Sequence, residues 1–355
     1  MIKLLIVDDS ALMRRQLNSM FNEEGDFEIR FARNGKEAIE ENRLFQPDVV
    51  TLDINMPEMD GLTALSLIMA ERSVPVIMVS SLTEKGALAT FEALALGAVD
   101  YVAKPSGTIS LSIDDIRREL VSKVRTAAKS KIKTTRSFVS SRPVVEKPKT
   151  IVEPERKPII RRGVAQNGIV VIGVSTGGPR TLEDVLPLFP ADFPYPVLVA
   201  QHMPASFTLP FANRMNSLCE LTVVEASKPT PIEAGFIYIG KGGADITVAQ
   251  RGGNPTIIPK PESKEFLWHP SVELLGRSVL ENYDATKIIA VMLTGMGYDG
   301  SDAFREIKHR GGKTIAESET SCVVFGMPAE LIKKGGASVV LPSDRITKQI
   351  LAWLK

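Results

Sequence analysis

The chain has little of what staples a fold or titrates near neutral pH. Among 355 residues there are two cysteines, Cys219 and Cys322, and three histidines. Two cysteines build neither a disulfide framework nor a zinc site of their own, and this usage fits a reducing cytosol rather than secretion. An excess of one charge is missing too. Lys and Arg number 43 against 42 Asp and Glu, a net +1, which excludes a globally basic nucleic-acid binder and an acidic disordered chain. The amino terminus has no long apolar run: Leu4 to Val7 gives four apolar residues before Asp8 and Asp9, too few for a signal segment or a membrane span. The expectation is a cytoplasmic protein that is not membrane-embedded and takes no nucleic acid.

What is present suffices for two domains. The chain is 44% apolar, and at about 100 to 200 residues per domain its length predicts two. Residues 127–165 hold eleven Lys or Arg, three Asp or Glu, four Pro and one aromatic, Phe138. This composition reads as a flexible basic linker between domains 1–126 and 166–355, with an r.m.s. reach of about 35 Å. The linker carries +8, the first domain −6 and the second −1, so the neutral total hides a basic strip.

In residues 1–126, Leu4–Val7, Ile29–Phe31, Val49–Leu52, Val74–Val79 and Tyr101–Val102 are candidate strands separated by helical patterns. Such alternation predicts a doubly wound parallel α/β sheet, whose ligand site lies beyond the carboxyl ends of its strands. Polar residues stand at those ends: Asp8 and Asp9, Asp53, Ser80 and Lys104. Any one aspartate could be a helix N-cap, which does not account for all five residues together. Clustered carboxylates repel unless a cation sits among them, and hard oxygen ligands suit Mg²⁺. A lysine beside them suits a phosphoryl oxygen.

The segments LLIVDDS, VVTLDINMPEMDG, VIMVSS and DYVAKP resemble a response-regulator receiver domain. The resemblance implies that Asp53 accepts a phosphoryl group from a histidine kinase, with Asp8, Asp9, Asp53 and the Asn55 carbonyl around Mg²⁺. It also implies that Ser80 and Lys104 contact the bound phosphoryl group, and it places Tyr101 at the family's aromatic switch position. On sequence alone, an edge-strand aromatic is a packing residue.

In the second domain, IVVIGVSTGGP runs an apolar strand into a turn with Gly173, Ser175 and Gly177 in a GxSxG pattern. Such a turn either exposes a nucleophilic serine or cradles a phosphate. A serine nucleophile needs a base and a group that orients it. His202 follows the apolar VLVA at a strand end; His269 precedes a proline at a helix start; His309 lies in the charged REIKHRGGK. Asp299 follows the apolar Ile288–Leu293 in a loop with Gly295, Gly297 and Gly300, where the backbone can approach a ligand closely. Alone, Asp299 reads equally as a turn or cap. The chain order Ser, His, Asp departs from the Ser, Asp, His of α/β-hydrolases.

GVSTGGPRTL, QHMPASFTLPFANRM, VMLTGMGYDG and VVFGMP resemble the catalytic domain of the CheB family of chemotaxis protein-glutamate methylesterases, whose members carry an amino-terminal receiver. The resemblance implies two doubly wound parallel-sheet domains, a flavodoxin-like receiver and a Rossmann-like catalytic domain. It implies Ser175 as nucleophile, His202 as general base and acid, Asp299 as orienting carboxylate, and Met296 with Thr176 as oxyanion donors, with no cofactor for the esterase reaction. It further implies demethylation of glutamate methyl esters on methyl-accepting chemoreceptors, deamidation of receptor glutamines, and recruitment to chemoreceptor arrays. Three stretches depart from the family pattern. Ala-Pro-Gly-Gly-x-His stands here as Gly240 to Asp245, Arg-Pro-Ser-Val-Asp as His269 to Glu273, and the Gln and Asp before VVFGMP as Glu317 and Ser318. A DNA-binding output domain would want a basic, helix-rich region, which residues 166–355 are not; a catalytically silent scaffold is the other rival.

Overall fold

A computed structural model of the chain describes residues 1–81, 83–104, 113–129 and 168–354. The expected linker lies outside them except at its first residues. Apolar runs form the central strands, buried on both faces as parallel sheets require, while the outer strand Phe27–Ala32 is part-exposed. In the first domain the strands are β1 (Ile2–Val7), β2 (Phe27–Ala32), β3 (Val49–Asp53), β4 (Val76–Ser80) and β5 (Asp100–Ala103), all parallel in the order β2-β1-β3-β4-β5. The five expected strands form, their ends shifted by one or two residues. Between and after them run α1 (Ala11–Asn22), α2 (Gly35–Phe45), α3 (Gly61–Glu71), α4 (Glu84–Leu96) and α5 (Ile113–Lys129).

Ser10, Asn34, Asp60 and Thr83 cap the first four of these helices, each side chain accepting an amide three residues on. Asp8, Asp9 and Asp53 are therefore not the caps. The expected boundary at residue 127 falls inside α5. The helix continues through Lys129 because Ala127 extends the buried stripe of Leu120, Val121 and Val124 by one turn.

The second domain contains β6 (Ile169–Val174), α6 (Gly178–Val185), β7 (Val197–Gln201), α7 (Ala205–Leu218), β8 (Thr222–Ala226), β9 (Thr230–Pro231), β10 (Phe236–Gly240), β11 (Asp245–Arg251) and β12 (Asn254–Lys260). It continues with α8 (Val272–Asn282), β13 (Ile288–Met292), α9 (Ser301–His309), β14 (Lys313–Glu317), α10 (Met327–Lys333), β15 (Val339–Leu341) and α11 (Ser343–Trp353). Its parallel sheet runs β15-β14-β13-β6-β7-β10-β8. The chain turns from one half of the sheet to the other between β6 and β13, the position at which such sheets hold ligands.

A small antiparallel sheet, β11-β12-β9, stands beside it and was not expected from the sequence. Its hairpin turns on Gly252 and Gly253, both at positive φ (58° and 83°), the two-residue turn that matches strand twist.

The domains are docked. Phe91 on α4 packs against Phe207 and Phe211 on α7, and Tyr101 on β5 lies flat on Phe207 with centroids 4.7 Å apart. Through these rings one apolar cluster runs from the first domain into the second. Tyr101 is thus a buried interface residue.

Candidate active site and phosphoacceptor pocket

Asp8 follows β1 and Asp53 ends β3, neighbouring strands across the sheet's switch point. The carboxylates of Asp8, Asp9 and Asp53 offer oxygens within 4.8 Å of one another. Asp8 and Asp53 are buried while Asp9 is exposed. The Lys104 ammonium reaches both, 2.9 Å from Asp8 Oδ2 and 2.7 Å from Asp53 Oδ2. Burial pushes the Asp53 carboxyl above its usual range, with Asp8 adding to it, although Lys104 and the Ile54 amide work the other way. For Lys104 burial works downward, and hydrogen bonds and charge from Asp53 and Asp8 outweigh it, so its pKa is raised.

Asn55 is exposed two residues past Asp53, and its carbonyl accepts no hydrogen bond among the described residues. The three carboxylates form a hard, all-oxygen donor set that fits Mg²⁺. Ser80, buried at the end of β4, donates its hydroxyl to the Gly86 carbonyl at 3.3 Å rather than toward Asp53.

In the second sheet, Val174 pairs with Gln201, so Ser175 and His202 stand one residue beyond adjacent strand ends. The Gln201 amide donates to the Ser175 carbonyl at 3.0 Å and to the His202 carbonyl at 2.9 Å, tying the two loops together. His202 Nε2 lies 2.9 Å from Asp299 Oδ2. Because a carboxylate only accepts, Nε2 carries the proton and the lone pair is left on Nδ1. Nδ1 is buried and without a partner among the described residues. The Ser175 hydroxyl likewise makes no hydrogen bond among them, so the serine–histidine bond is not formed in this conformation.

Asp299 is held from the far side. Oδ2 also accepts from the Val272 amide (2.7 Å), and Oδ1 accepts from the Glu273 amide (2.9 Å) and the Ser271 hydroxyl (3.1 Å). Val272 and Glu273 open α8, so the carboxylate sits at a helix N-terminus, where the dipole favours negative charge. Burial works to raise its pKa, but the His202 bond and charge and the two amides win, leaving it below the usual carboxylate range. Asp299 is not the cap of its own helix; Gly300 stands at that place before α9.

The oxyanion candidates face this cluster from two loops. The Ser175 amide donates to the Thr294 carbonyl at 3.0 Å, and the Met296 amide has no acceptor among the described residues. Gly295 must lack a side chain, because a Cβ there would lie 2.8 Å from Ser175 Cβ. Thr176 is buried, its carbonyl accepting from the Thr294 hydroxyl. The Met296 sulfur accepts from the α5 hydroxyls of Ser122 (3.0 Å) and Thr126 (3.6 Å), so the first domain grips the oxyanion loop.

Two of the departures from the family pattern face each other. Asp245, fully buried, accepts from His269 Nδ1 at 2.9 Å and from the Ser271 and Ser263 amides, both at 2.8 Å. His269 is thereby committed to Asp245. Glu317, at the end of β14, accepts from the Thr294 amide and the Ser321 hydroxyl, each at 2.8 Å. Burial raises its pKa despite those bonds. His309 is exposed on α9 as expected. Sequence reasoning gave no role to Gln201 or to Trp268, whose indole stacks on His202, and it flagged Asp245 and Ser271 only as lying in departures from the family pattern. Gln201 directly precedes the candidate base, which was the one available signal.

Comparison with known proteins divides the chain as the sheets do. Residues 4–113 match the family model described as the response regulator receiver domain, and residues 170–350 match CheB methylesterase. The class is a response regulator with an enzymatic output domain, and the chain belongs to the CheB methylesterase family. A Rhodospirillum rubrum relative named protein-glutamate methylesterase/protein-glutamine glutaminase 3 is 53% identical over 100% of this chain and 96% of its own length. A Vibrio cholerae relative of the same name is 43% identical over 94% of this chain and 91% of its own. The Thermotoga maritima CheB methylesterase catalytic domain is 40% identical and superposes with a TM-score of 0.51 over 53% of this chain and 98% of its own.

Proposed function

We propose that the chain is a phosphorylation-gated protein-glutamate methylesterase of chemotaxis that also deamidates glutamine. The single observation that carries the chemistry is the His202–Asp299 bond, which leaves a buried, unpartnered Nδ1 beside the strand end that bears Ser175. Ser175 Oγ attacks the ester carbonyl while His202 Nδ1 takes its proton. The oxyanion draws on the amides of Met296 and Thr176, each such donor being worth about 2.7 to 4 kcal/mol. As the tetrahedral intermediate collapses, His202 gives the proton to the departing methanol. Water then repeats the sequence on the acyl-serine and frees the glutamate. A glutamine substrate changes only the leaving group, to ammonia. Asp299 keeps Nε2 protonated and supports the imidazolium.

Regulation follows from the docked interface. Asp53 accepts a phosphoryl group from a chemotaxis histidine kinase, and Asp8, Asp9, Asp53 and the Asn55 carbonyl would hold the Mg²⁺ that neutralises it. Ser80 and Lys104 would then contact the phosphoryl oxygens, Ser80 after leaving the Gly86 carbonyl. The grip of Ser122 and Thr126 on Met296 makes α5 the inhibitory element. Substrates are methyl-accepting chemoreceptors, and the enzyme works in the cytoplasm at chemoreceptor arrays. Among the described residues no helix is long and apolar enough to cross a membrane.

The test is methanol release from methylated receptor membranes by wild type and Ser175→Ala, with and without a small phosphodonor and Mg²⁺. Release that requires Ser175 and rises with the phosphodonor is expected; none from wild type under either condition overturns the reading.

A further inference from the structure

The indole of Trp268 lies parallel to the His202 imidazole, with ring centroids 6.0 Å apart and planes 9° apart. Nothing in the hydrolysis just described uses it. Trp268 is held by two neighbours from the oxyanion loop. Tyr298 meets it edge-on at 5.1 Å and 87°. Gly297 lets it close, since a Cβ there would lie 2.8 Å from the indole Cζ2. The loop carrying Trp268 runs from Ser263 to Ser271, and one buried carboxylate pins both ends. Asp245 accepts the amides of Ser263 and Ser271 and the Nδ1 proton of His269, next to Trp268. Ser271 in turn donates its hydroxyl to Asp299.

We propose that residues 263–271 form a strap that positions the base, with Asp245 as its anchor and Trp268 as the platform that fixes the plane of His202. This inference deepens the esterase reading and rests on it. Among the described residues the His202 ring has one hydrogen bond, to Asp299, which leaves the ring plane free to swing about that contact. The indole removes that freedom. Its π face also attracts a cation more than a neutral ring, so it favours the imidazolium that forms as Ser175 attacks, which is a gain confined to the transition state. Among the described residues the charged group facing His202 is Asp299; His269 is turned onto Asp245.

The decisive variants are Trp268→Leu, which keeps bulk without a π face, and Trp268→Phe, which restores one. In the full-length protein with phosphodonor, Trp268→Leu is expected to lower kcat by about 5- to 30-fold with KM little changed. Trp268→Phe is expected to recover most of the lost kcat. Asp245→Asn should act in the same direction, and the double variant Asp245→Asn/Trp268→Leu should be little worse than either alone, as for residues serving one device.

A second readout does not depend on turnover. With only three histidines, histidine-selective NMR of the full chain can follow the His202 ring, which should lose its upfield ring-current shift in Trp268→Leu. Unchanged kcat in Trp268→Leu, or an effect on KM alone, overturns the strap. An unshifted His202 signal in wild type overturns it as well. Should wild type release no methanol, the esterase reading fails, and the NMR comparison still decides whether Trp268 holds the ring.

Discussion

Two aspartates, Asp53 at the end of β3 and Asp299 in the loop between β13 and α9, are each almost fully buried, at 3% and 4% exposure. Their ionisation is nevertheless driven in opposite directions. Burial is the largest influence on both, and it prevails only at Asp53. Asp53 has one amide, from Ile54, and shares Lys104 with the like-charged Asp8. Asp299 takes four donors, two of them amides at a helix N-terminus, and has no carboxylate beside it in that set. Donor count, not depth, decides the charge of a buried carboxylate. The division suits the proposed chemistry: a phosphoacceptor needs a lightly bonded carboxylate oxygen whose lone pair can attack phosphorus, whereas an orienting carboxylate needs a fixed charge.

The same substitution at the two sites should therefore separate them. Asp299→Asn is expected to have the largest effect, a loss of about 10⁴-fold in kcat with and without phosphodonor. Each oxygen of Asp299 receives two donors, and an amide supplies one accepting oxygen. If that oxygen stays with Glu273 and Ser271, the NH₂ faces His202 and forces its proton onto Nδ1, the wrong tautomer for a base. Methanol release by the purified variant checks this. A loss of less than about tenfold would mean that the four-donor clamp is not what holds the histidine.

Asp53→Asn should leave the esterase machinery in place and abolish the response to phosphodonor, a coupling of about 5- to 150-fold in systems of this kind. Its stability should move the other way from that of Asp299→Asn. A carboxyl whose folded pKa is raised is penalised in the folded state above the unfolded value, so an uncharged amide at residue 53 raises the melting temperature at pH 7. A lowered pKa contributes stability that is present above the unfolded value and lost as pH falls through the folded one. Asp299→Asn therefore lowers the melting temperature at pH 7, with the deficit shrinking toward pH 3. Thermal melts of both variants across pH test the contrast, and shifts of the same sign at pH 7 would break it.

Much of this was legible in the sequence because strand ends are. Apolar runs followed by Asp8, Asp53, Ser175, His202 and Asp299 mark the edge where parallel sheets place ligands, and the structure sets each residue on that edge. What stayed hidden depends on contacts between distant segments. Gly252 and Gly253 marked a hairpin that composition alone did not single out against the many other glycines. Asp245 and His269 read as two separate departures from the family pattern, and only the fold shows one accepting a hydrogen bond from the other. Trp268 carried no signal, since an indole beside a histidine is a fact of packing. The orientation of His202, with Nε2 toward Asp299, likewise follows from side-chain geometry that no spacing encodes.

Glu317 supplies a third buried carboxylate and the smallest expected effect. It accepts from the Thr294 amide and the Ser321 hydroxyl, and the Cys322 thiol also works to lower its pKa, yet burial still raises it. Glu317→Gln can keep both contacts. The amide oxygen accepts from Thr294, and the NH₂ donates to Ser321 Oγ, which already accepts from the Ser343 amide at 3.1 Å. Above the ordinary carboxylate value the native glutamate bears the penalty of a buried charge and glutamine does not. Below that value the acid is protonated in both the folded and unfolded chains and the difference vanishes. The variant should thus melt about 2 to 4 °C higher than wild type at pH 8, the shift expected for about 1 kcal/mol in a domain of this size, and at nearly the same temperature at pH 4. A lower melting temperature at pH 8 would show that the donors around Glu317 already suffice to hold a charge at this depth, as the four around Asp299 do.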